Sequence, residues 1–366
     1  MEYHEELDTP ALVVDEATLR HNVEEMAAFA REYSVAVRPH LKTHKTVEIA
    51  RMQRAAGATG FTCAKLGEAE ALADAGVLDD VLLAYQIVGG HKLRRLLALM
   101  ERARVAVAVD GLDGAATMAV ACRDAGKTLD VMLEVNTGLD RAGVLPGEPA
   151  LALAREITKM PGLRLRGVMT HEGHVAKAAN ADELAPIARK AGEDLVGTAD
   201  LLRAAGIPVE TVSVGSTPAA WYTPTVPGVT EMRPGTYVFN DNSAFRFGRI
   251  GPEGCSLRIL STVISRPAPD RAVIDAGSKT LAMDPPQFRS GYGYIVEHPD
   301  ATIVRVSEEH GVVELPPSAR DLRVGDRVHV IPNHVCPTVN LQDELFVVRD
   351  RGLVDRWEVV ARGKVR

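Results

Sequence analysis

From residue 36 onward the apolar positions switch repeatedly between unbroken runs, typical of buried strands, and a spacing of three to four, typical of helices. Residues 36–42, 60–65, 80–85, 105–110, 130–136, 165–171, 211–216 and 235–239 are the predicted strands. Amphipathic helical stretches lie between most of them, for example 67–75, 92–102, 150–159 and 181–205. Strands alternating with helices predict a parallel sheet, and eight such units over roughly 200 residues fit a (β/α)8 barrel of the TIM type. Residues 9–15 read as a further strand and 17–33 as a helix, so that strand is a ninth and need not belong to the barrel. From about Gly251 the texture changes to short β-rich runs at 257–265, 271–275, 302–307, 312–315, 327–331, 344–348 and 357–361, separated by Pro, Gly, Asp and Asn. This predicts a C-terminal all-β domain whose sheet the N-terminal strand can join. The expected division is a barrel over 16–250 and a β domain over 251–366 together with strand 1–15.

Composition narrows the partners. The 366 residues are 46% hydrophobic and 25% charged, which suits a soluble chain with a sizeable core and two domains. A net charge of −7 argues against nucleic acid as a partner. No apolar run approaches the roughly 20 residues that span a bilayer, so no membrane segment is expected. The start, Met1-Glu2-Tyr3-His4-Glu5-Glu6, is acidic and lacks the apolar core of a secretion signal. Cys63, Cys122, Cys255 and Cys336 have no framework spacing, which predicts reduced thiols and a cytoplasmic location.

Chemistry concentrates in a few stretches. Arg38-Pro39-His40-Leu41-Lys42-Thr43-His44-Lys45 follows the apolar run Val35-Ala36-Val37 and precedes a helical period over 46–52. Two histidines and two lysines thus crowd a strand-to-helix junction, the end of a strand where α/β folds place their chemistry. A lysine in such a sheltered mouth can have its pKa lowered enough to form a Schiff base, although a solvated basic loop has the same composition. In a barrel, Lys42, Lys65, Tyr85, Asp110, the 134–141 segment, His171, Ser216, Thr217 and Tyr237 would all face one mouth. Val214-Gly215-Ser216-Thr217-Pro218 joins a glycine to two hydroxyls, which suits an oxyanion, and Arg233-Pro234-Gly235-Thr236-Tyr237 offers a second such turn. Ordinary loops use the same residues. Arg141 is delivered beyond a glycine turn, with a surface salt bridge as its alternative role.

In the β domain, Ile331-Pro332-Asn333-His334-Val335-Cys336-Pro337-Thr338-Val339-Asn340-Leu341 stands out. On an extended chain residues two apart point the same way, so His334 and Cys336 would present an imidazole and a thiolate side by side. That pair suits zinc better than magnesium or calcium. A structural site takes about four protein ligands, so the other positions would stay open to water or substrate. A buried cysteine beside a hydrogen-bonded histidine is the alternative.

Together these stretches resemble the D-threonine aldolase and D-serine dehydratase family of pyridoxal-phosphate (PLP) enzymes, which has the alanine racemase-like fold (fold type III). The resemblance runs from Asp8-Thr9-Pro10 to the C-terminus. It is carried by the 38–45 stretch, Glu231-Met232-Arg233-Pro234-Gly235-Thr236-Tyr237-Val238-Phe239, Asp275-Ala276-Gly277-Ser278-Lys279, Glu309-His310-Gly311 and the 332–341 stretch. The resemblance implies that Lys42 is the Schiff-base lysine and that Arg141 contacts the phenolic-oxygen side of PLP. It places His171 near the pyridine ring, and Gly215, Ser216, Thr217, Gly235, Thr236 and Tyr237 at the phosphate. Arg233 matches the position facing the ring nitrogen, where an arginine weakens the electron sink.

Two departures bear on the reaction. Aldolases of the family have an aspartate where Cys336 stands and use manganese or magnesium, whereas dehydratase-type members have cysteine and use zinc. Aldolases also carry a tyrosine where His171 stands and a histidine where Lys177 stands, although His174 lies nearby. The expectation is therefore a PLP- and zinc-dependent lyase, with Lys42, His334 and Cys336 as catalytic residues, eliminating water from a β-hydroxy D-amino acid. D-serine, D-threonine and 3-hydroxy-D-aspartate remain open as substrates. Retro-aldol cleavage to glycine and an aldehyde is the rival reaction. An amino-acid racemase or a non-catalytic PLP-binding protein is more remote, since neither uses a metal pair. The fold's relatives imply a homodimer.

Overall fold

The structure, a computed structural model, describes residues 3–285 and 290–366. The chain forms two compact units. One comprises Glu25–Lys42, Ala50–Gly235 and Lys364–Arg366; the other takes the chain up to Glu24, Thr43–Ile49 and Thr236–Gly363.

The first unit is built on eight parallel strands, at Ala36–Val37, Phe61–Cys63, Asp80–Leu83, Arg104–Val109, Leu129–Glu134, Leu163–Met169, Thr211–Val214 and Glu231–Met232. From the second strand to the eighth each pairs with the next in chain order, and the eighth pairs with the first. A bridge between His40 and Thr62 joins the two remaining edges, with Thr62 N–H donating to the Pro39 carbonyl at 2.8 Å. The sheet thereby closes into the expected (β/α)8 barrel. Leu129–Glu134 is buried at all six positions and Val105 to Val109 without a break. Such runs arise because helices cover one face of a parallel sheet while barrel-filling side chains cover the other. Leu82, Ala106, Ala108, Met132 and Met169 form one such cluster, with Ala106 and Ala108 two apart and so on one face. Helices Leu66–Asp74, Gly90–Leu99, Leu112–Asp124, Glu148–Ile157 and Ala181–Ala204 connect successive strands. The last begins with a reciprocal cap: Asn180 Oδ1 accepts from Glu183 N–H at 3.0 Å, and the Glu183 carboxylate accepts from Ala179 N–H at 2.9 Å.

Two predicted strands need correction. The eighth strand is Glu231–Met232, not 235–239, and Thr236–Val238 is a 3-10 turn. Pro234 has no N–H for the ladder, so the strand ends before it. The strand predicted at 36–42 is two residues long, and Leu41–Thr43 is again a 3-10 turn, with Pro39 standing in the same relation.

The second unit holds a nine-stranded, mostly antiparallel sheet. Ala11–Asp15 lies inside it, antiparallel to Leu257–Ala268 and parallel to Glu344–Arg349. Leu7, Ala11, Val13, Leu260 and Val348 form a core cluster there. The final strand is Gly352–Glu358 rather than 357–361, and two short helices, Ser278–Leu281 and Val335–Asn340, interrupt the otherwise β-rich chain.

Candidate active site

In the barrel unit, the end of the first strand turns at Leu41–Thr43 and leaves Lys42 half-buried. Its amine bonds to no described residue, whereas the neighbouring candidates are engaged. Lys65 Nζ sits 3.4 Å from the Tyr85 ring centroid, and in the second unit Lys45 Nζ donates to Asn340 Oδ1 at 2.7 Å. The Lys42 charge is felt by His40 and His171. Burial chiefly, then the charges of Lys42 and the nearby arginines, pushes His40 well below its ordinary pKa and His171 down to about 3. Both rings are therefore neutral at physiological pH. The Nδ1 of neutral His171 donates to the Gly215 carbonyl, which leaves Nε2 as the bare nitrogen.

Arg233 is the buried centre of this end. Nη1 donates to Ser213 Oγ at 2.5 Å and Nη2 to the Thr170 carbonyl at 2.6 Å, while Nε bonds to no described residue. Ser213 Oγ donates in turn to Glu231 Oε1 at 2.6 Å, and Glu231 Oε2 accepts from Arg38 Nε at 2.7 Å. Arg38 also bonds Asp80 Oδ1 at 2.5 Å. From Arg38 through Glu231 and Ser213 to Arg233 a chain of buried polar groups thus runs inward from the seam of the barrel. Gly60 is glycine because a Cβ there would collide with the Arg38 guanidinium. Burial lowers the Arg233 pKa against the surrounding Glu231, Glu172 and Glu134, yet a guanidinium stays charged in proteins.

Thr211–Val214 ends in the 215–217 turn. The Ser216 and Thr217 amides donate to no described atom. Ser216 Oγ accepts from Ala219 N–H at 3.3 Å, and Thr217 Oγ1 accepts from Gly235 N–H at 3.1 Å. The Gly235 amide is therefore spent on tying the two predicted turns together. Arg141 is largely exposed, with Nη2 4.0 Å from Glu134 Oε1. Glu134 is buried, which pushes its carboxyl up, and accepts from Gln86 Nε2 at 2.6 Å. His174 packs against Gly138, and its Nδ1 is buried with no bond to a described residue.

In the second unit, Thr236 begins a 3-10 turn and Tyr237 is buried within it. His334 and Cys336 do come together, though not on an extended chain. His334 is the extended residue preceding the helix Val335–Asn340, and Cys336 lies in that helix's first turn. Asp241, buried, provides the cap that the local sequence lacks, accepting from Val335 N–H at 3.1 Å. The His334 ring touches the Cys336 thiol, and Thr43 Oγ1 lies 3.3 Å from Cys336 Sγ. Burial would lower the His334 pKa, but the hydrogen bond and charge of Cys336, the charge of Asp241 and the hydrogen bond to Asp284 raise it to about 10. His334 Nδ1 donates to Asp284 Oδ1 at 2.8 Å, which turns Nε2 outward, and Asn333 Nδ2 holds the Asp284 carbonyl at 3.1 Å. Among the described residues no third His, Cys, Asp or Glu joins the pair as a metal-holding group. Asp284, Ser213 and Glu172 escaped sequence reading. Asp284 stands fifty positions before His334, and Ser213 falls inside an apolar strand with no motif; only the adjacency of Glu172 to His171 could have drawn attention.

Residues 14–243 match the alanine racemase, N-terminal domain family and 256–348 the putative serine dehydratase domain. D-threonine aldolase from Arthrobacter sp. is 37% identical over 98% of this chain and 93% of its own length. D-threo-3-hydroxyaspartate dehydratase from Delftia sp. (strain HT23) is 34% identical over 96% of this chain and 97% of its own. The crystal structure of D-threonine aldolase from Filomicrobium marinum superposes with a TM-score of 0.91 at 34% identity, covering 98% of this chain and 97% of that one. With both domain families matched in order along one barrel and one β-rich unit, the chain belongs to the D-threonine aldolase and D-serine dehydratase-like family of PLP-dependent lyases.

Proposed function

We propose that this lyase works with PLP and zinc to eliminate water from a β-hydroxy D-amino acid, giving a keto acid and ammonia. D-serine, D-threonine and 3-hydroxy-D-aspartate define the substrate type. The observation that carries the choice of reaction is the contact between the His334 imidazole and the Cys336 thiol. A nitrogen and a sulfur donor suit zinc, while carboxylate-rich sites suit magnesium or manganese. Solved structures of D-threo-3-hydroxyaspartate dehydratase include a histidine-to-alanine and a cysteine-to-alanine variant, the latter in a metal-free form, and the two positions lie two residues apart as His334 and Cys336 do.

The residues fit both groups. For PLP there are the unengaged amine of Lys42, the open amides of Ser216 and Thr217, and the free Nε of buried Arg233. Ser216 and Thr217, with Thr236 and Tyr237, would hold the phosphate from turns shaped by Gly215 and Gly235, whose own amides are taken by Glu172 and Thr217. Arg233 would face the ring nitrogen, His171 the ring and Arg141 its phenolic-oxygen side. For the metal there are two adjacent soft donors, one already oriented by Asp284, with the remaining positions open. PLP supplies an electron sink for a deprotonated Cα, and zinc supplies a Lewis acid for the β-hydroxyl. Lys42 takes the Cα proton. Arg233 donates a hydrogen bond without giving up its proton, which keeps the ring nitrogen neutral and the sink weak. Help at the leaving hydroxyl is then what makes elimination feasible.

Retro-aldol cleavage is the second reading. It draws on the similarity to two D-threonine aldolases and on His174, whose lowered pKa, set first by burial and then by Lys177, makes it a neutral base. A cytoplasmic homodimer belongs to the proposal; no helix among the described residues is long and apolar enough to cross a membrane. Incubation with the three candidate amino acids decides the reaction. Keto acid plus ammonia supports elimination, and glycine plus an aldehyde overturns it. Full activity after chelation would remove the metal from the proposal.

A further inference from the structure

Three side chains converge on Gly215. Its N–H donates to Glu172 Oε2 at 2.9 Å, its carbonyl accepts from His171, and a Cβ there would stand 2.9 Å from the Arg233 Cβ. Glu172 is completely buried, and its Oε1 has no hydrogen-bond partner among the described residues. Burial pushes its carboxyl pKa up. Only weaker contacts with its own amide and the Thr223 hydroxyl accompany the Gly215 bond. A buried carboxyl so sparsely bonded is costly, so the bond to Gly215 calls for a reason.

Peptide planarity supplies one. The Gly215 N–H belongs to the peptide plane before the residue, and its carbonyl shares the following plane with the Ser216 N–H. Glu172 fixes the first plane and His171 the second. Between them they lock both dihedrals of a residue type whose backbone is otherwise the least restricted. The Ser216 N–H must then point away from His171. We propose that Glu172 is a positioning residue for cofactor binding: with His171 it clamps Gly215 so that the Ser216 and Thr217 amides are preset for the PLP phosphate. The inference rests on the reading of 215–217 as the phosphate turn.

The test strips the purified protein with hydroxylamine, refills it with PLP, and measures the apparent Kd together with the 31P resonance of the bound phosphate. Glu172→Gln keeps both the length and an acceptor, and should stay within about threefold of wild type with the phosphate resonance unmoved. Glu172→Ala leaves the Gly215 amide without its partner, and should weaken PLP about tenfold to a hundredfold and shift that resonance. Should the alanine protein fail to fold, Glu172→Asp replaces it, since it keeps the carboxyl but falls one methylene short. The same loss is expected. Wild-type affinity and resonance in the shortened variant overturn the assignment. Wild-type protein that takes up no PLP overturns the cofactor reading beneath it, and the inference falls with it.

Discussion

The choice of reaction rests on single side chains. Changing Cys336 to Asp replaces a soft donor with a hard one beside His334, so Cys336→Asp should lose most zinc-supported elimination and gain a response to manganese. Aldolase activity should stay small, because His171 and Lys177 are unchanged. Rates for both proteins after chelation and refilling with each metal give the answer, and undiminished zinc-supported elimination would refute the pairing. Asp284 acts on the same site at one remove. Its bond to His334 Nδ1 fixes which nitrogen faces a metal. Asp284→Asn should weaken zinc about 10- to 100-fold in competition with a chromophoric chelator. The contrast between these two residues marks what the sequence could disclose. Cys336 lies two positions from His334 in a distinctive stretch, and its place beside that ring was legible although its helix was not, since the cap comes from Asp241. Asp284 reaches His334 only through folding. Spacing carries no trace of it.

Among the elements, the barrel's seam depends on the Arg38 guanidinium, which bonds Glu231 from the eighth strand and Asp80 from the third. Removing it leaves the Glu231 carboxylate, its side chain only 8% exposed, with the Ser213 hydroxyl as its remaining partner, and leaves Asp80, 14% exposed, with Arg104 at 3.3 Å. Arg38→Ala should therefore cost about 3–5 kcal/mol in denaturant unfolding. A loss below about 1 kcal/mol would mean that the seam is held by backbone alone. Alternation of period exposed most strands and helices, because burial on both faces imposes it. It failed at 235–239, where apolar residues fill a turn instead of a strand, and proline chemistry was the better guide.

For the whole molecule, the second unit gathers chain from both ends, and Glu16 is one of its ties. Burial would raise the Glu16 pKa, but hydrogen bonds and charge from Arg20 and Arg349 outweigh it and hold the carboxyl below its ordinary 4.5. A depressed carboxyl pKa contributes stability that is complete above that value and is lost as pH falls through the folded one. Glu16→Gln should thus be less stable than wild type at pH 7, and the gap should close below about pH 4 in thermal melts. A gap that persists unchanged in acid would assign the effect to packing. The place of Ala11–Asp15 inside the C-terminal sheet also sets a timetable for synthesis. Ala11 pairs with Leu260, 249 positions later (260 less 11), so at ribosomal rates of about 5–20 residues per second the strand waits on the order of 12–50 s for its first neighbour. During that interval the nascent chain carries an unpaired, apolar ribbon beside a barrel already being made. Overexpression faster than chaperones can shield that ribbon should drive the protein into inclusion bodies, and slower translation should recover it.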